Sequence, residues 1–508
     1  MDKQNKMKEL LLKGSLFRIL ESIISIATVF LLTPYFIDVL GSSNYGLWVL
    51  VLSIMGWFNV IDLGFPQAVQ RQIVQALELN DNTRVNRVFS TGLVLFGALG
   101  LISVAILVGL TQVPAIFGVT GADQITLTHI LLVLTVKILW GFLMNPFHGF
   151  FSGLLRFDID ANLSSLNEVG KSLLVFWFIA DLNIWGAVVA TLIADIVTNT
   201  LKIIYAKRLF PSLKFKLSLV SIKEIKTLFS YSKHLVLNGV INTVSGKSGP
   251  LITTHLFDLQ SLAIQRIAAN LVAHVQGLVG TITGVFGPVY NKMVARKQNM
   301  ERIFIQSTTI YLFISTVLNV CLLMFGKAFI ILWVGIEFEY AFYLLYFIVF
   351  ASICSGFSGT ANSILLAQAN HKLISLLSFG MLIIGMPTSI YLALQFGLIG
   401  LSMGAAVTSL IFNVFIRMAL LKRYNDYKTT ALYKGLTLSV FITFTLSYLG
   451  NYFLERLNVD TWGELILAGT ITLPFVVIIC WTLLLNKDLK QLLFSAINSM
   501  FKVEKIKI

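Results

Sequence analysis

Long apolar blocks that contain almost no charged residue are the feature that most limits how this chain can fold. Examples are 16–39, 89–110, 341–365 and 463–485. A helix of about 20 apolar residues crosses the hydrocarbon core of a bilayer, and it satisfies its own backbone hydrogen bonds, which lipid cannot do. Transmembrane β-strands would alternate in polarity, and these blocks do not. The sequence therefore predicts an all-α polytopic membrane protein.

The composition favours the same class of protein. Hydrophobic residues make up 56% of the 508 residues and charged residues only 12%, whereas soluble globular proteins carry roughly 25% charged residues. The three cysteines, Cys321, Cys354 and Cys480, lie inside apolar segments. We interpret them as small hydrophobic side chains, because their spacing fits neither a disulfide framework nor a metal site.

The apolar blocks divide into about fourteen predicted spans. Lys and Arg accumulate on the cytoplasmic side of membrane proteins, and with the N-terminus inside, the inner connections hold nearly all of the basic residues. This alternation supports the number of spans independently and places both termini in the cytoplasm. The predicted spans are 16–38, 45–65, 88–110, 128–150, 165–181, 185–206, 234–255, 267–290, 304–325, 341–365, 373–394, 398–420, 435–454 and 463–485.

The order of the spans predicts five consecutive parts. They are an N-terminal six-helix lobe at 1–206, a basic amphipathic cytoplasmic linker at 207–232, a C-terminal six-helix lobe at 233–420, two additional transmembrane helices at 421–485, and a basic cytoplasmic tail at 486–508. A similar combination of glycine, phenylalanine and proline ends the second and the eighth span. Because both lobes start inside, we interpret them as a parallel pseudo-repeat about an axis along the membrane normal.

The net charge of +14 is explained by this topology and by the attraction of basic inner loops to anionic lipids. Because the basic residues are spread over many loops, we predict no nucleic-acid partner. The six histidines have no metal-ligand spacing, and the sequence contains neither a nucleophile elbow nor a Walker loop. We therefore predict that the protein is not an enzyme and holds no metal and no cofactor.

Ionisable residues inside the spans are candidate functional residues, because a charge at the bilayer centre is costly and normally faces the bundle interior or a water-filled cavity. Arg18 and Glu21 lie three residues apart in the first span, so they can pair along one helix face. They form either a structural ion pair or part of a cavity lining. Asp62, near the end of the second span, is either a coupling-ion or gating site or the cap of a broken helix.

Lys137 is the candidate cation of the fourth span. It lies nine or more residues from either end of the span, too far for its side chain to reach the interface easily. Asp195, in the middle of the sixth span, is a candidate partner for Lys137 or for Lys171. We expect Lys137 to face a lumen and Asp195 to serve in ion coupling or gating.

Lys247 lies in the middle of the seventh span, close to Asn242 and in a stretch that Gly249 and Pro250 loosen. Such residues are tolerated where the backbone lines a cavity. His274 lies on a polar face of the eighth span. The alternative for these side chains is helix packing by small and polar residues. Cations in both lobes suit an anionic cargo such as a pyrophosphate headgroup, whereas a cavity for a cationic drug would hold mainly acids.

The N-terminal part of the chain carries a recognisable signature. Residues 32–36, 44–48 and 61–65, together with Arg71, resemble the N-terminal signature of polysaccharide flippases, and 395–400 fits the same pattern. These flippases are the Wzx-type members, for O-antigen or capsule repeat units, of the multidrug/oligosaccharidyl-lipid/polysaccharide exporter superfamily. The similarity in overall layout covers the whole chain, but the distinctive motif does not identify the sugar.

The resemblance implies two six-helix lobes in a V shape, with two additional C-terminal helices. It implies that a bacterial inner-membrane protein moves an undecaprenyl-pyrophosphate-linked oligosaccharide from the cytoplasmic to the outer leaflet by alternating access. Coupling to H⁺ or Na⁺ is one alternative, and a polysaccharide polymerase and a chain-length regulator are implied partners. Family members often have an acid near the position of Lys247, so the lysine argues against a coupling-ion site there and favours a headgroup contact.

Three other functions stay open from the sequence. A lipid II flippase and a multidrug antiporter are alternatives of the same fold, and the charge of the lumen distinguishes the antiporter from a carrier of lipid phosphates. A membrane-embedded glycan polymerase or ligase is an alternative of a different class. It would need a long outer loop with catalytic residues, and the predicted outer loops are short.

The sequence makes one direct prediction about Lys247. The Lys247→Ala variant is expected to weaken transport while its expression survives, because the cargo headgroup loses a cation. Lys247→Arg keeps the charge and is expected to preserve most of the transport. Transport of both variants in liposomes and their protein levels in membranes check the prediction. An equal loss of protein level in both variants would instead assign Lys247 to folding.

Overall fold

The computed structural model describes an all-helical chain. It describes the backbone of residues 2–61, 64–154, 156–427, 429–457, 459–491 and 493–495, with the side chains of these residues except 2–19, 59, 231–238 and 242. Every regular element in this part of the chain is a helix. The order of the helices follows the order of the apolar blocks, as expected where backbone groups must pair within their own segment.

Sixteen α-helices are described, some joined by single turns of 3₁₀-helix. The first seven are α1 (Asp2–Trp57), α2 (Phe65–Glu78), α3 (Asn82–Thr111), α4 (Gly121–Gly153), α5 (Phe157–Leu182), α6 (Ile184–Leu209) and α7 (Ile222–Leu256). The others are α8 (Leu259–Thr283), α9 (Phe286–Ala295), α10 (Glu301–Val334), α11 (Tyr340–Phe357), α12 (Gly359–Ala367), α13 (His371–Ser409), α14 (Arg417–Asn425), α15 (Thr430–Arg456) and α16 (Trp462–Leu484). A π-helical stretch, Leu410–Ile416, joins α13 to α14.

Ten helices in the described part of the chain are long and apolar enough to cross a membrane. Two of them, α1 and α13, each overlap two predicted spans, which are separated where Gly41 (φ 75°) and Gly397 (φ 64°) interrupt the helical backbone. Left-handed φ angles favour glycine because it has no Cβ. The fifth and seventh predicted spans correspond to α5 and α7. A helix therefore overlaps each predicted span and the all-α membrane class is confirmed, while the number fourteen stays a prediction.

The helices pack into two compact units, which divide after Ala263. The first unit contains α1 to α7, and α7 packs on α1, α2 and α3. The predicted linker is tied to this unit, because the Lys214 N–H donates to Asn86 Oδ1 (2.9 Å) and the Ser221 N–H donates to Thr91 Oγ1 (3.1 Å). The predicted division into two six-helix lobes, linker, additional helices and tail stays a prediction.

The second unit has a core in which α10 packs against α15 and α16. Apolar side chains such as Val320 and Ile442 are buried there together with the free thiol of Cys480. Neutral hydroxyls also pair inside this unit, since the Thr316 and Ser439 side-chain oxygens lie 2.6 Å apart. The second unit is therefore held by close apolar packing and by short hydroxyl pairs, which satisfy polar groups away from water.

The close approach of α5 and α6 generates a stability prediction. A Cβ at Gly186 would lie 2.5 Å from the Phe178 carbonyl oxygen and 2.7 Å from the Ile179 Cα, which are backbone atoms that cannot move aside. Gly186→Ala is expected to destabilise the protein by about 1–3 kcal/mol through overpacking. The matched control is Gly170→Ala on α5, where a Cβ meets nothing within 4 Å. The unfolding midpoints of the two variants in detergent check the prediction. Equal midpoints for Gly186→Ala and Gly170→Ala would contradict the close packing of α5 against α6.

Candidate functional site

A polar cavity of about 460 Å³ lies within the first unit. Its walls come from the end of α1, the 3₁₀ turn that follows α1, and the helices α4 and α6. The apolar part of the wall includes Met55 and Phe58. The polar side chains of this cavity, which we call the α4–α6 cavity, are Lys137, Asn145 and His148 from α4, and Asp195, Asn199 and Lys202 from α6.

Helical spacing explains why these side chains meet. On α6, Asp195, Asn199 and Lys202 follow one another at intervals of four and three residues, so they share one face of the helix. On α4, eight and three residues separate Lys137, Asn145 and His148, which again places them on one side. Two mostly apolar helices thus turn their polar stripes toward the same space, as expected where lipid surrounds the other faces.

Lys137 and Asp195 form an ion pair across the cavity wall. The side chains are only 31% and 21% exposed, so each charge depends on the other for compensation. Asn167 of α5 donates from its amide to Asp195 Oδ1 (3.0 Å) and Thr198 Oγ1 (3.3 Å). The alternative cation for Asp195 is engaged elsewhere, because Lys171 Nζ lies 2.9 Å from Glu168 Oε1.

The pairing changes the charge that the cavity offers to a ligand. Since Asp195 neutralises Lys137, the remaining cation in the lining is Lys202, for which the described residues provide no ion-pair partner. His148 at the same wall lies 2.8 Å through Nδ1 from Asp160 Oδ2. The cavity therefore combines a compensated pair, amide groups from asparagines and one cation that is not paired with a described carboxylate.

The connection between α4 and α5 carries a second ionic contact. Arg156 donates two hydrogen bonds to the Asp158 carboxylate, through Nε and Nη2, both at 2.9 Å. These bonds lower the pKa of Asp158 below its usual value, so its carboxylate stays ionised. This pair is local to the start of α5, whereas the contact between His148 and Asp160 ties the start of α5 to α4 beside the cavity.

Lys247 lies against the end of α1, the same turn that borders the α4–α6 cavity. The Trp57 indole N–H donates to the Lys247 carbonyl oxygen (3.1 Å). A Cβ at Gly56 would lie 2.8 Å from Lys247 Cε and 3.3 Å from Nζ, so the absence of a side chain at this glycine makes room for the lysine. The Lys247 side chain is half-buried, and its stem crosses α1 closely.

The other predicted site residues have different positions. Glu21 is half-buried on α1, and His274 is half-buried on α8 in the second unit. The Arg18 and Asn242 side chains lie outside the described residues, as does Asp62, so their predicted roles stay predictions.

Thr254, which the sequence places on the face of Lys247, is involved in packing. It is buried, and its hydroxyl donates to the Phe117 carbonyl oxygen (2.9 Å) in the segment before α4. On this face of α7, Lys247 is half-buried beside α1, whereas Thr254 is buried and hydrogen-bonded to the segment before α4.

Four further polar residues line the cavity and are not among the predicted site residues, namely Asn145, His148, Asn199 and Lys202. The sequence does carry a signal for them, because they continue the helical faces of Lys137 and Asp195 at whole-turn intervals. The signal is the register of a polar residue with a buried charge, not a charge in the middle of a span.

The fold and the cavity define a polytopic membrane protein with a polar site between apolar helices. The chain belongs to the polysaccharide biosynthesis protein family, which matches residues 11–294. This membership confirms the resemblance that the N-terminal signature indicates.

Individual relatives agree with this assignment. "Uncharacterized membrane protein EpsK" from Bacillus subtilis (strain 168) is 21% identical over 487 residues, which cover 91% of this chain and 93% of that protein. The structure of lipid II flippase MurJ in an inward closed conformation has a TM-score of 0.73 at 16% identity, covering 92% of this chain and 98% of that one.

An inward-facing multidrug resistance transporter of the MATE family has a TM-score of 0.61 at 15% identity, covering 81% of this chain and 99% of that one. At these identities the two solved structures show the fold alone. Their names describe a flippase and a multidrug resistance transporter.

The ion pair in the α4–α6 cavity generates a prediction that a double-mutant cycle checks. Lys137→Met and Asp195→Asn are each expected to lower the thermal unfolding midpoint, because each leaves one half-buried group without its partner. The double variant is expected to recover part of the loss, with a coupling energy of about 1–2 kcal/mol.

The matched control cycle uses Lys171→Met and Glu168→Gln, a pair three residues apart on one helix. Its coupling energy is expected to be about 0.3–0.5 kcal/mol, as for other pairs on one helix surface. Equal coupling energies in the two cycles would contradict the prediction that Lys137 and Asp195 are coupled more strongly than an ion pair on one helix surface.

Proposed function

We propose that this protein is a flippase that moves undecaprenyl-pyrophosphate-linked oligosaccharide repeat units from the cytoplasmic to the outer leaflet by alternating access. The observation that carries the proposal is the α4–α6 cavity, with Lys202 as a cation beyond the compensated pair of Lys137 and Asp195. A sugar headgroup needs hydrogen-bonding partners in place of water, and a pyrophosphate needs positive charge. Membership of the polysaccharide biosynthesis protein family supports the choice of cargo.

The sign of the charge argues against a carrier of cationic drugs. The carboxylate in the described cavity lining, Asp195, is already neutralised by Lys137. The described lining therefore has no unpaired carboxylate that could bind a cationic drug. A lipid II flippase is the alternative within the same fold, since one structure with a similar fold is that of the lipid II flippase MurJ. The proposed cargo and lipid II therefore have to be compared directly.

Lys247, which the sequence predicts, and Lys202, which the structure adds to the cavity lining, contact the anionic headgroup. Arg18, Asn242 and His274 are further headgroup or lumen residues. Asp195, with Lys137, forms the element that responds to a coupling ion, because a proton or Na⁺ at the carboxylate would release the lysine.

Glu21 and Asp62 are proposed for the same coupling or gating role. The proposal includes a bacterial inner membrane, both termini in the cytoplasm, and a polysaccharide polymerase and a chain-length regulator as partners that take over the exported cargo.

The test is translocation in liposomes of a fluorescent undecaprenyl-pyrophosphate-linked oligosaccharide, with and without a proton or sodium gradient, beside a fluorescent lipid II. Lys202→Gln is expected to slow translocation roughly tenfold or more, because it removes a charged hydrogen-bond partner of the headgroup. Lys202→Arg is expected to retain most of the activity. The matched control is Lys207→Gln, an exposed lysine on the same helix outside the cavity lining.

Translocation of the oligosaccharide above that of empty liposomes, lost in Lys202→Gln and kept in Lys207→Gln, would support the proposal. Transport of lipid II without transport of the oligosaccharide lipid would identify lipid II as the cargo instead. No transport of either lipid under any gradient, with folded protein, would overturn the flippase assignment in favour of another exporter of the same fold.

A further inference from the structure

A second cavity lies in the first unit, lined by α2 and the start of α7. It has a volume of about 790 Å³ and brings together Arg71 of α2 with Lys223 and Lys226 of α7. Gln72 and Gln75 add amide groups to the wall. We call this cavity the α2–α7 basic pocket. Lys223 and Lys226 lie one helical turn apart and repel each other, so an anion between them lowers the repulsion.

The acid next to Lys223 in the chain does not neutralise the two lysines. Glu224 follows Lys223 in the chain, but it is buried, and its Oε1 lies 3.9 Å from Arg84 Nε. Arg84 Nη2 also donates to Gln72 Oε1 (2.9 Å). Glu224 is therefore engaged behind the wall, and the described lining residues of the pocket include no carboxylate.

The pocket has firm walls and an apolar rim. Phe229 of α7 packs edge-to-face on the buried Phe65 of α2, with ring centroids 4.7 Å apart, which fixes the two helices around the space. Ile222 lines the pocket although it is 72% exposed, and Leu217 just before it is equally exposed. Exposed apolar side chains next to lysines are typical of a surface at the boundary between headgroups and acyl chains.

We propose that the α2–α7 basic pocket binds a phosphate-bearing lipid headgroup on the face that the charge distribution predicts to be cytoplasmic. The cations contact the phosphate oxygens, the glutamine amides donate further hydrogen bonds, and the apolar rim meets the start of the acyl or isoprenoid chain. Two lipids supply this chemistry, a pyrophosphate carrier lipid and an anionic bulk phospholipid. The carrier lipid as occupant rests on the proposed function, and in that case the pocket would hold the headgroup of the cargo at the cytoplasmic leaflet before it crosses the membrane.

The test uses the purified full-length protein in zwitterionic detergent, with farnesyl pyrophosphate and dioleoyl phosphatidylglycerol as separate probes whose binding is measured by native mass spectrometry. The pocket variant Lys223→Gln/Lys226→Gln is expected to bind at least one probe roughly tenfold or more weakly, because two charges near the phosphate are lost. The control variant Lys214→Gln/Lys216→Gln removes equal charge from exposed lysines outside the pocket lining. It is expected to stay within about twofold of the wild type.

The two probes distinguish the two sources of the headgroup. Selective loss of farnesyl pyrophosphate binding assigns the pocket to pyrophosphate carriers, and selective loss of phosphatidylglycerol binding assigns it to bulk lipid. An equal loss in the pocket and control variants would overturn the proposal, because diffuse surface charge would then explain binding. If the wild type binds a probe but transports neither lipid in liposomes, the proposed function is rejected and headgroup binding in the α2–α7 basic pocket is retained. If the protein transports the lipid but the pocket variant binds both probes as the wild type does, headgroup binding in this pocket is rejected and the proposed function is retained.

Discussion

The absence of water inside a bilayer is the constraint on which the rest of this structure depends. It obliges backbone groups to pair within helices, and it obliges polar side chains to find partners in the chain. Small hydroxyls solve the problem locally, as when Ser53 donates to the Val49 carbonyl (2.9 Å) or Thr200 to that of Ile196 (2.7 Å). A charge needs a charged partner, which lies either on the same helix, as for Lys171 and Glu168, or on a neighbouring helix, as for Lys137 and Asp195.

Both units satisfy polar groups inside the chain. In the second unit neutral groups pair, such as Thr316 with Ser439 and Asn319 with Ser315 (3.0 Å), and Arg417 donates to the Ser358 hydroxyl (3.1 Å). The first unit contains both the α4–α6 cavity and the α2–α7 basic pocket, and in each the described lining has more cations than carboxylates. Both cavities thus share an excess of positive charge in their described linings. The physical argument for an anionic cargo therefore comes from the first unit.

The helices could be predicted from the sequence because the constraint that produces them is local. The site could be predicted only in part, because it depends on which helix faces meet. Asp195 had two candidate cations in the sequence, and the contact of α4 with α6 rather than any sequence spacing selected Lys137 over Lys171. Lys202 was missed because it lies near the end of its predicted span, where a lysine is ordinarily explained by the membrane interface.

The position of Lys247 gives the end of α1 a particular importance. Gly56 and Trp57 contact this lysine, while Met55 and Phe58 border the α4–α6 cavity. A single turn of helix thus separates the lysine on α7 from the charged side chains of α4 and α6. Since packed helices move as rigid elements with discrete arrangements, a displacement of this turn changes the surroundings of both groups together. The end of α1 is therefore the structural link between Lys247 and the α4–α6 cavity.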